Sequence, residues 1–374
     1  MSQFQTDKND ITKTRLVMAA DTPEDFALQD GDILVALERF AFTANNVTYG
    51  AVGEQIGYWQ FFPPHLAAND DPDWGCVPVW GFAKVVASKQ PDIEVGERLY
   101  GYFPMSDYLQ ITPTRISAQR LIDGTPHRAQ LPEVYNNYER LGKNAGDAQA
   151  DNLRALLNPL YGTSFCLCDA LQAENYYDAQ QVVIVSASSK TAIGLAYGLS
   201  HALAQSTDAR PKIIGLTSPT NVEFVRSTGV YDEIIGYDAL ANLHNVASVL
   251  VDMSGNRAVL GAVHAALGDN MRWCHNVGLT HWDDSDTKNS PEAEKIIRDR
   301  SAMFFAPAHI QRRASEWGAV EFNAKVAAFL SGGMAQAEGW MQVKEIAGLQ
   351  AFTPIYDAVV AGKIKPEEGL IVTF

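Results

Sequence analysis

Read as a pattern of hydrophobic and polar positions, the chain has two rhythms. The first is of period two. "DILVALERFAFTANNV" (32–47), "WGFAKVVAS" (80–88), "ERLYGYF" (97–103) and "YLQITPTRI" (108–116) are short, rich in β-branched and aromatic residues and bounded by Gly, Pro or Asp. They predict the strands of a small barrel. Between the first two lie residues 57–81, which hold Tyr58, Trp59, Phe61, Phe62, Trp74 and Trp80 among prolines. So aromatic a stretch is expected to pack or to line a cleft. Residues 123–152 are polar without a sustained period and read as an insertion or lid-like loop.

From about residue 155 buried strands alternate with helical patterns. A helix after Pro159 is followed by "QVVIVSA", "TAIGLAYGLSHALAQ", "KIIGLTS", "TNVEFVRSTG", "YDEIIGY", "SVLVDMS", "RAVLGAVHAAL" and "NMRWCHNVG". That alternation predicts parallel pairing through right-handed crossovers, hence a doubly wound α/β sheet. The closing "FTPIYDAVVAGKIKPEEGLIVTF" reads as a helix, a Gly-containing stop and a strand that needs a partner sheet. The expected domains are residues 1–155, completed by 345–374, and residues 156–344. A chain of 374 residues exceeds what one hydrophobic core usually serves.

Composition narrows the function classes. The net charge of −15 argues against a general nucleic-acid or anionic-membrane surface, because phosphate is repelled at long range, yet it leaves room for a local basic pocket. No stretch approaches the roughly 18 apolar residues of a membrane span. The polar N-terminus lacks the continuous apolar core of a signal peptide, so a cytoplasmic protein is expected. Cys76, Cys166, Cys168 and Cys274 form no CxxC pair and are expected to be buried thiols.

The stretch with chemistry in it is the loop after "QVVIV". A dinucleotide-binding turn uses three glycines: for a tight turn, for approach to the pyrophosphate, and for close packing of the following helix on the sheet. Here the loop runs Ser186, Ala187, Ser188, Ser189, Lys190, Thr191, Ala192, Ile193, Gly194. Gly194 retains the packing role, Ser188 and Thr191 are small and add hydroxyl donors, and Lys190 adds a cation where a helix begins. The same residues also read as a Ser/Thr-capped helix after a buried strand. After the second strand stand Thr217, Ser218, Thr220 and Asn221 with no carboxylate. A 2′-phosphate there meets donors and no repulsion, which favours NADPH over NADH.

In order and spacing these landmarks resemble the medium-chain dehydrogenase/reductase superfamily over nearly the whole chain. "VWGFAKVVAS" resembles its apolar-Gly-Phe strand, "VGERLYGYFPMSDYLQITPTRI" its Gly-Asp-Arg-Val turn and following strand, and "AVVAGKIKPEEGLIV" its closing helix and strand. The similarity is to a zinc-free branch, like quinone oxidoreductases and enoyl reductases, with a Ser/Thr/Lys phosphate loop. The resemblance implies a GroES-like β-barrel domain joined to a Rossmann domain, and NADPH-dependent reduction of an activated C=C or C=O of a small, partly hydrophobic substrate. The segment Thr43–Tyr49 has no thiol, and a Gly-His-Glu element and a four-Cys lobe are missing, so no metal is expected.

By the same resemblance Asn45 or Asn46 orients substrate or nicotinamide, and Tyr49 donates a proton or stabilises an enolate oxygen. "NVGLTHWDD" sets His281 and Trp282 beside the reacting ring, "MFFAPAHIQRR" sets Phe305 by the cleft, and Trp59 and Phe61 belong to an aromatic wall. The alternative is that the two Asn residues cap a turn and Tyr49 is core. Two other functions stay open: an NADPH-binding protein without turnover, and a non-redox, lyase-type enzyme. The expected partner is a small-molecule substrate, and a homodimer is a candidate assembly.

Overall fold

The strand Ile33–Phe42 organises the first half of the molecule. One edge pairs antiparallel with Pro78–Ser88; the other is shared, its first half by Tyr108–Ile111 and its second by Glu368–Thr373. A Cβ on Gly81 would stand 2.2 Å from the Arg39 carbonyl oxygen, so this pairing needs a glycine there. The computed structural model describes residues 1–374 apart from 20–21, 65–70, 145, 203–209 and 278–290. The chain divides into two compact units, Met1–Leu156 with Gln342–Phe374, and Leu157–Met341.

In unit 1 the sheet continues from Pro78–Ser88 through Arg98–Pro104, Asn137–Arg140 and Arg120–Asp123 to Pro113–Thr114. On its other side Glu368–Thr373 pairs in parallel with Gln342–Ala347, so the final strand has its partner sheet. Among the described residues this path is open rather than closed on itself. A second sheet was not foreseen: Ser2–Asp7 pairs with Thr14–Met18 and with Trp74–Gly75. Gln3, Gln5 and Thr6 of its middle strand are all fully buried, on the two faces in turn. Gln5 Nε2 donates to Gln3 Oε1 at 2.7 Å, and Arg15 Nε donates to Gln5 Oε1 at 2.8 Å. Polar side chains that satisfy one another inside erase the hydrophobic period that would have announced the strand.

Two expectations need correction. Residues 123–152 are more than an inserted or lid-like loop, because Asn137–Arg140 is a sheet strand and Tyr135, Tyr138 and Arg128 are buried anchors. Arg128 pairs with fully buried Asp123 and donates to the Phe61 carbonyl at 3.0 Å, which hides a charged segment in the core. The helix expected after Pro159 spans Ala148–Ala173 with Pro159 inside it.

Unit 2 is a six-stranded parallel sheet in the order Glu233–Gly236, Lys212–Thr217, Gln181–Val185, Ser248–Asp252, Met271–Asn276, Ser301–Met303. In sequence terms this is 3-2-1-4-5-6, the doubly wound order. The central strands are buried on both faces, with Val183, Val185, Ile214, Leu216 and Leu250 among the core residues. Gly194 does serve close packing, but against another helix: an added Cβ would lie 2.5 Å from the Tyr161 ring and 2.7 Å from Ser164 Oγ, both on Ala148–Ala173. All four cysteines are free and buried, and burial pushes the Cys76 and Cys166 thiols up to about 12. They are too poorly ionised to react at neutral pH.

Two results are expected of unit 2. Gly194→Ala should lower stability by about 1–3 kcal/mol, the usual cost of overpacking, read as a shifted urea midpoint. The second concerns acid. His264 is fully buried, its Nδ1 accepts from the Ile297 amide at 3.0 Å, and burial lowers its pKa to about 4. His275 is also lowered to about 4, by burial and then by the nearby His309. Between about 6.5 and about 4 the unfolded chain takes up protons that the folded chain refuses. Stability is therefore full above pH 6.5 and falls as the pH drops toward 4, by up to roughly 3 kcal/mol per histidine. His264→Leu should flatten that slope; an unchanged slope in denaturant titrations at several pH values would refute the assignment.

Candidate functional site

The parallel sheet changes direction between its first and fourth strands, Gln181–Val185 and Ser248–Asp252, and crevices outside the C-terminal ends of strands at such points receive ligands. The turn that leaves Gln181–Val185 begins at Ser186, with φ +62°. Serine rarely adopts this conformation, so the turn is strained in the position where the first glycine of a dinucleotide fingerprint stands. Three contacts hold it. The Ser186 amide donates to Tyr237 Oη at 3.0 Å, the Ala187 amide to the Leu216 carbonyl at 2.9 Å, and Tyr231 Oη to the Ala187 carbonyl at 2.8 Å. Burial raises both phenols, Tyr237 up to about 12, so both keep their protons at neutral pH. Neither tyrosine nor Ser186 was singled out from the sequence, although the place directly after the strand was signal enough for Ser186.

Next comes the helix Lys190–Tyr197, capped by Ser189, whose Oγ accepts from the Ala192 amide at 3.3 Å. The capped-helix reading is therefore true of this loop. It leaves the Ser188 amide without a partner among the described residues. Ser188 Oγ accepts from Asn221 Nδ2 at 3.1 Å, which ties the first turn to the end of the second strand. Thr217 is buried at that strand end, while Ser218 is half-buried and bonds Thr220 at 3.0 Å. Thus Ser188, Ser189, Lys190, Thr191, Gly194, Thr217, Ser218 and Asn221 belong to two neighbouring strand ends and the turns that follow them. Ala192 and Ile193 are fully buried, so their side chains fill core beneath the loop and offer nothing to a ligand. Phe305 is 45% exposed at the start of the helix Ala306–Trp317.

In unit 1 the helix Ala44–Ala51 begins at Thr43. Asn46 accepts from the Thr43 amide at 2.8 Å and donates to the Pro78 carbonyl at 2.9 Å. Its carboxamide is spent on a capping box, so the capping alternative holds for Asn46, whereas Asn45 is half-buried. Tyr49 is 6% exposed, lies by Trp80 and Asn45, and is raised in pKa mainly by burial. Trp59 does not face a cleft: it is 4% exposed and its ring fills the space beside Gly53 and Gly75, where a Cβ would come within 2.5 Å and 2.4 Å. Phe61 is likewise core, edge-on to Tyr102 and Tyr135. Phe62, Pro63 and Pro64 of the same segment do line a cavity of about 370 Å³. His281 and Trp282 lie outside the described residues.

Arg313 Nε donates to Asp169 at 2.6 Å and its Nη1 pairs with Glu316, so this arginine serves acidic side chains. Among the described residues no cluster of three His, Cys, Asp or Glu could hold a metal, and no helix is long and apolar enough to cross a membrane.

Solved structures share this fold. CurA from Vibrio vulnificus in complex with NADPH matches 100% of this chain and 99% of its own at 14% identity, with a TM-score of 0.65. The yhdH oxidoreductase from Salmonella enterica in complex with NADP covers 100% of both chains at 15% identity and a TM-score of 0.51. The Etr1p/NADP/crotonyl-CoA complex gives 11% identity, 100% and 99% coverage and a TM-score of 0.59. No curated protein matches the sequence. The chain has the medium-chain dehydrogenase/reductase fold and, matched over residues 40–365, belongs to the family described as Protein of unknown function (DUF2855).

Proposed function

We propose that the protein is a metal-independent NADPH-dependent reductase of an activated C=C or C=O in a small, partly hydrophobic molecule. One observation carries the reading. At the switch point of a doubly wound sheet, a strained turn at Ser186 and an unspent Ser188 amide adjoin a second strand end that carries hydroxyls and an amide but no carboxylate. The NADPH and NADP held by similarly folded proteins support it. NADPH supplies the hydride.

The chain's own residues bind and orient. The Ser188 amide and the hydroxyls of Ser188 and Thr191 receive the pyrophosphate, and Lys190 offsets its charge at the helix start. Thr217, Ser218 and Asn221 receive the 2′-phosphate, and Phe305 offers apolar cover. Tyr49 donates a hydrogen bond or a proton to the substrate oxygen, since burial keeps its phenol neutral. Asn45 contacts the same oxygen, and Asn46 positions both through the cap it forms. His281 and Trp282 stay as proposed neighbours of the substrate. Binding of NADPH without turnover is the second reading, favoured by the commitment of Asn46 to a cap.

Unaltered protein should bind NADPH more tightly than NADH, and Ser218→Asp should weaken NADPH at least tenfold, about 1.4 kcal/mol, while sparing NADH. Fluorescence titration with both cofactors reads this, and equal affinities in the unaltered protein would sink the assignment. With an enone or enal that is turned over, Tyr49→Phe should cut kcat by about 10²-fold and leave NADPH affinity intact. An unchanged kcat would return Tyr49 to the core. A screen of enals, enones, quinones and aldehydes that yields no NADPH oxidation from an NADPH-binding protein would favour the second reading.

A further inference from the structure

The cavity of about 370 Å³ in unit 1 is made by segments distant in sequence and has stiff walls. Pro63, Pro64 and Pro104 have fixed φ, and Phe26 meets Tyr108 edge to face with centroids 5.9 Å apart. Its volume falls in the range of small-molecule sites, which run from roughly 300 to 1,000 Å³.

Charge and hydrogen-bond polarity define what fits. Arg128, only 2% exposed, lines the cavity with its guanidinium over the Phe62 ring at 4.8 Å, and it is ion-paired with Asp123. That pair is neutral in sum, so the cavity offers an ionic ligand no counter-charge. The Nε of Arg128 is buried and has no partner among the described residues. The rest of the polar edge mixes donors with acceptors: Gln3 Oε1 is taken by Gln5 Nε2, which leaves the Gln3 amide nitrogen as its donating end. His127 Nε2 meets the Phe61 carbonyl at 3.1 Å; a carbonyl only accepts, so Nε2 donates there. Thr125 Oγ1 donates to Asp123 at 2.6 Å and retains its own lone pairs. Gln110 Nε2 donates to Asp32 at 2.7 Å, which leaves Oε1 as the accepting end of the amide.

We propose that this cavity of unit 1 binds a neutral, ring-shaped apolar molecule that carries a hydroxyl or N–H donor. Arg128 and Asp123 neutralise each other, so neither an anion nor a cation meets an uncompensated opposite charge. A hydroxyl on an apolar ring both donates and accepts, so it serves the Thr125 and Gln110 oxygens and the Arg128 Nε–H while the ring packs against Phe26, Phe62, Tyr108 and the prolines.

Calorimetric titration of the full chain with 2-naphthol and with 2-methoxynaphthalene, which lacks the donor, tests this. The expected result is one site for 2-naphthol and about tenfold weaker binding of the methyl ether, the effect of one hydrogen bond. Leu109→Trp should fill the cavity and abolish both, with NADPH affinity unchanged. No binding by the unaltered protein, equal affinity for the two probes, or full binding to a folded Leu109→Trp protein would overturn the proposal. A crystal of the unaltered protein soaked with 2-naphthol locates the ring without any variant, and density only outside the cavity overturns it as well. Because NADPH affinity is measured alongside, failure here is distinguishable from failure of the reductase reading.

Discussion

The left-handed turn at Ser186 is the constraint on which the candidate nucleotide site depends. A non-glycine residue at positive φ costs of order 1 kcal/mol or more and persists only where its surroundings over-determine it. Here they do: a phenol holds the Ser186 amide, the neighbouring strand's carbonyl holds the Ala187 amide, and a second phenol holds the Ala187 carbonyl. With the turn fixed this way, Ser188 and Asn221 can meet across the ends of two strands. Glycine would have made the same turn with no supporting cast. The tyrosines that replace its freedom also make the loop a rigid part of the sheet.

Unit 1 uses polar and aromatic side chains for the same purpose. Asn46 locks the start of its helix to the Pro78 strand. Around it Tyr49, Tyr58, Phe61, Tyr102 and Tyr135 form a network of edge-on and tilted rings, with Tyr58 and Tyr135 joined hydroxyl to hydroxyl at 2.8 Å. Rings in such contact contribute about 0.5–1.5 kcal/mol per pair beyond their burial. The aromatic segment is therefore structural on its inner side. On its outer side Phe62, Pro63 and Pro64 face a cavity with polar groups along one edge. One short segment thus serves core and cavity at once, which its composition alone does not separate.

Read alone, the sequence determined the parallel sheet, the strand that needed a partner at the C-terminus, the place of the turn after the first parallel strand and the absence of a carboxylate after the second. Continuous apolar strands such as "QVVIV" and the spacing of helices between them are local patterns with a direct physical meaning. Tertiary structure decided the rest. Gln3 and Gln5 are interior only because each finds the other, Arg128 is core only because Asp123 is there, and Trp59 is core because Gly53 and Gly75 leave room for its ring. Whether Asn46 caps a helix or faces a ligand turned on the carbonyl of Pro78, 32 residues away. Local periodicity reports how a residue relates to its own strand or helix, whereas the satisfaction of a buried polar group or the filling of a gap is settled by partners that only the folded chain brings within reach.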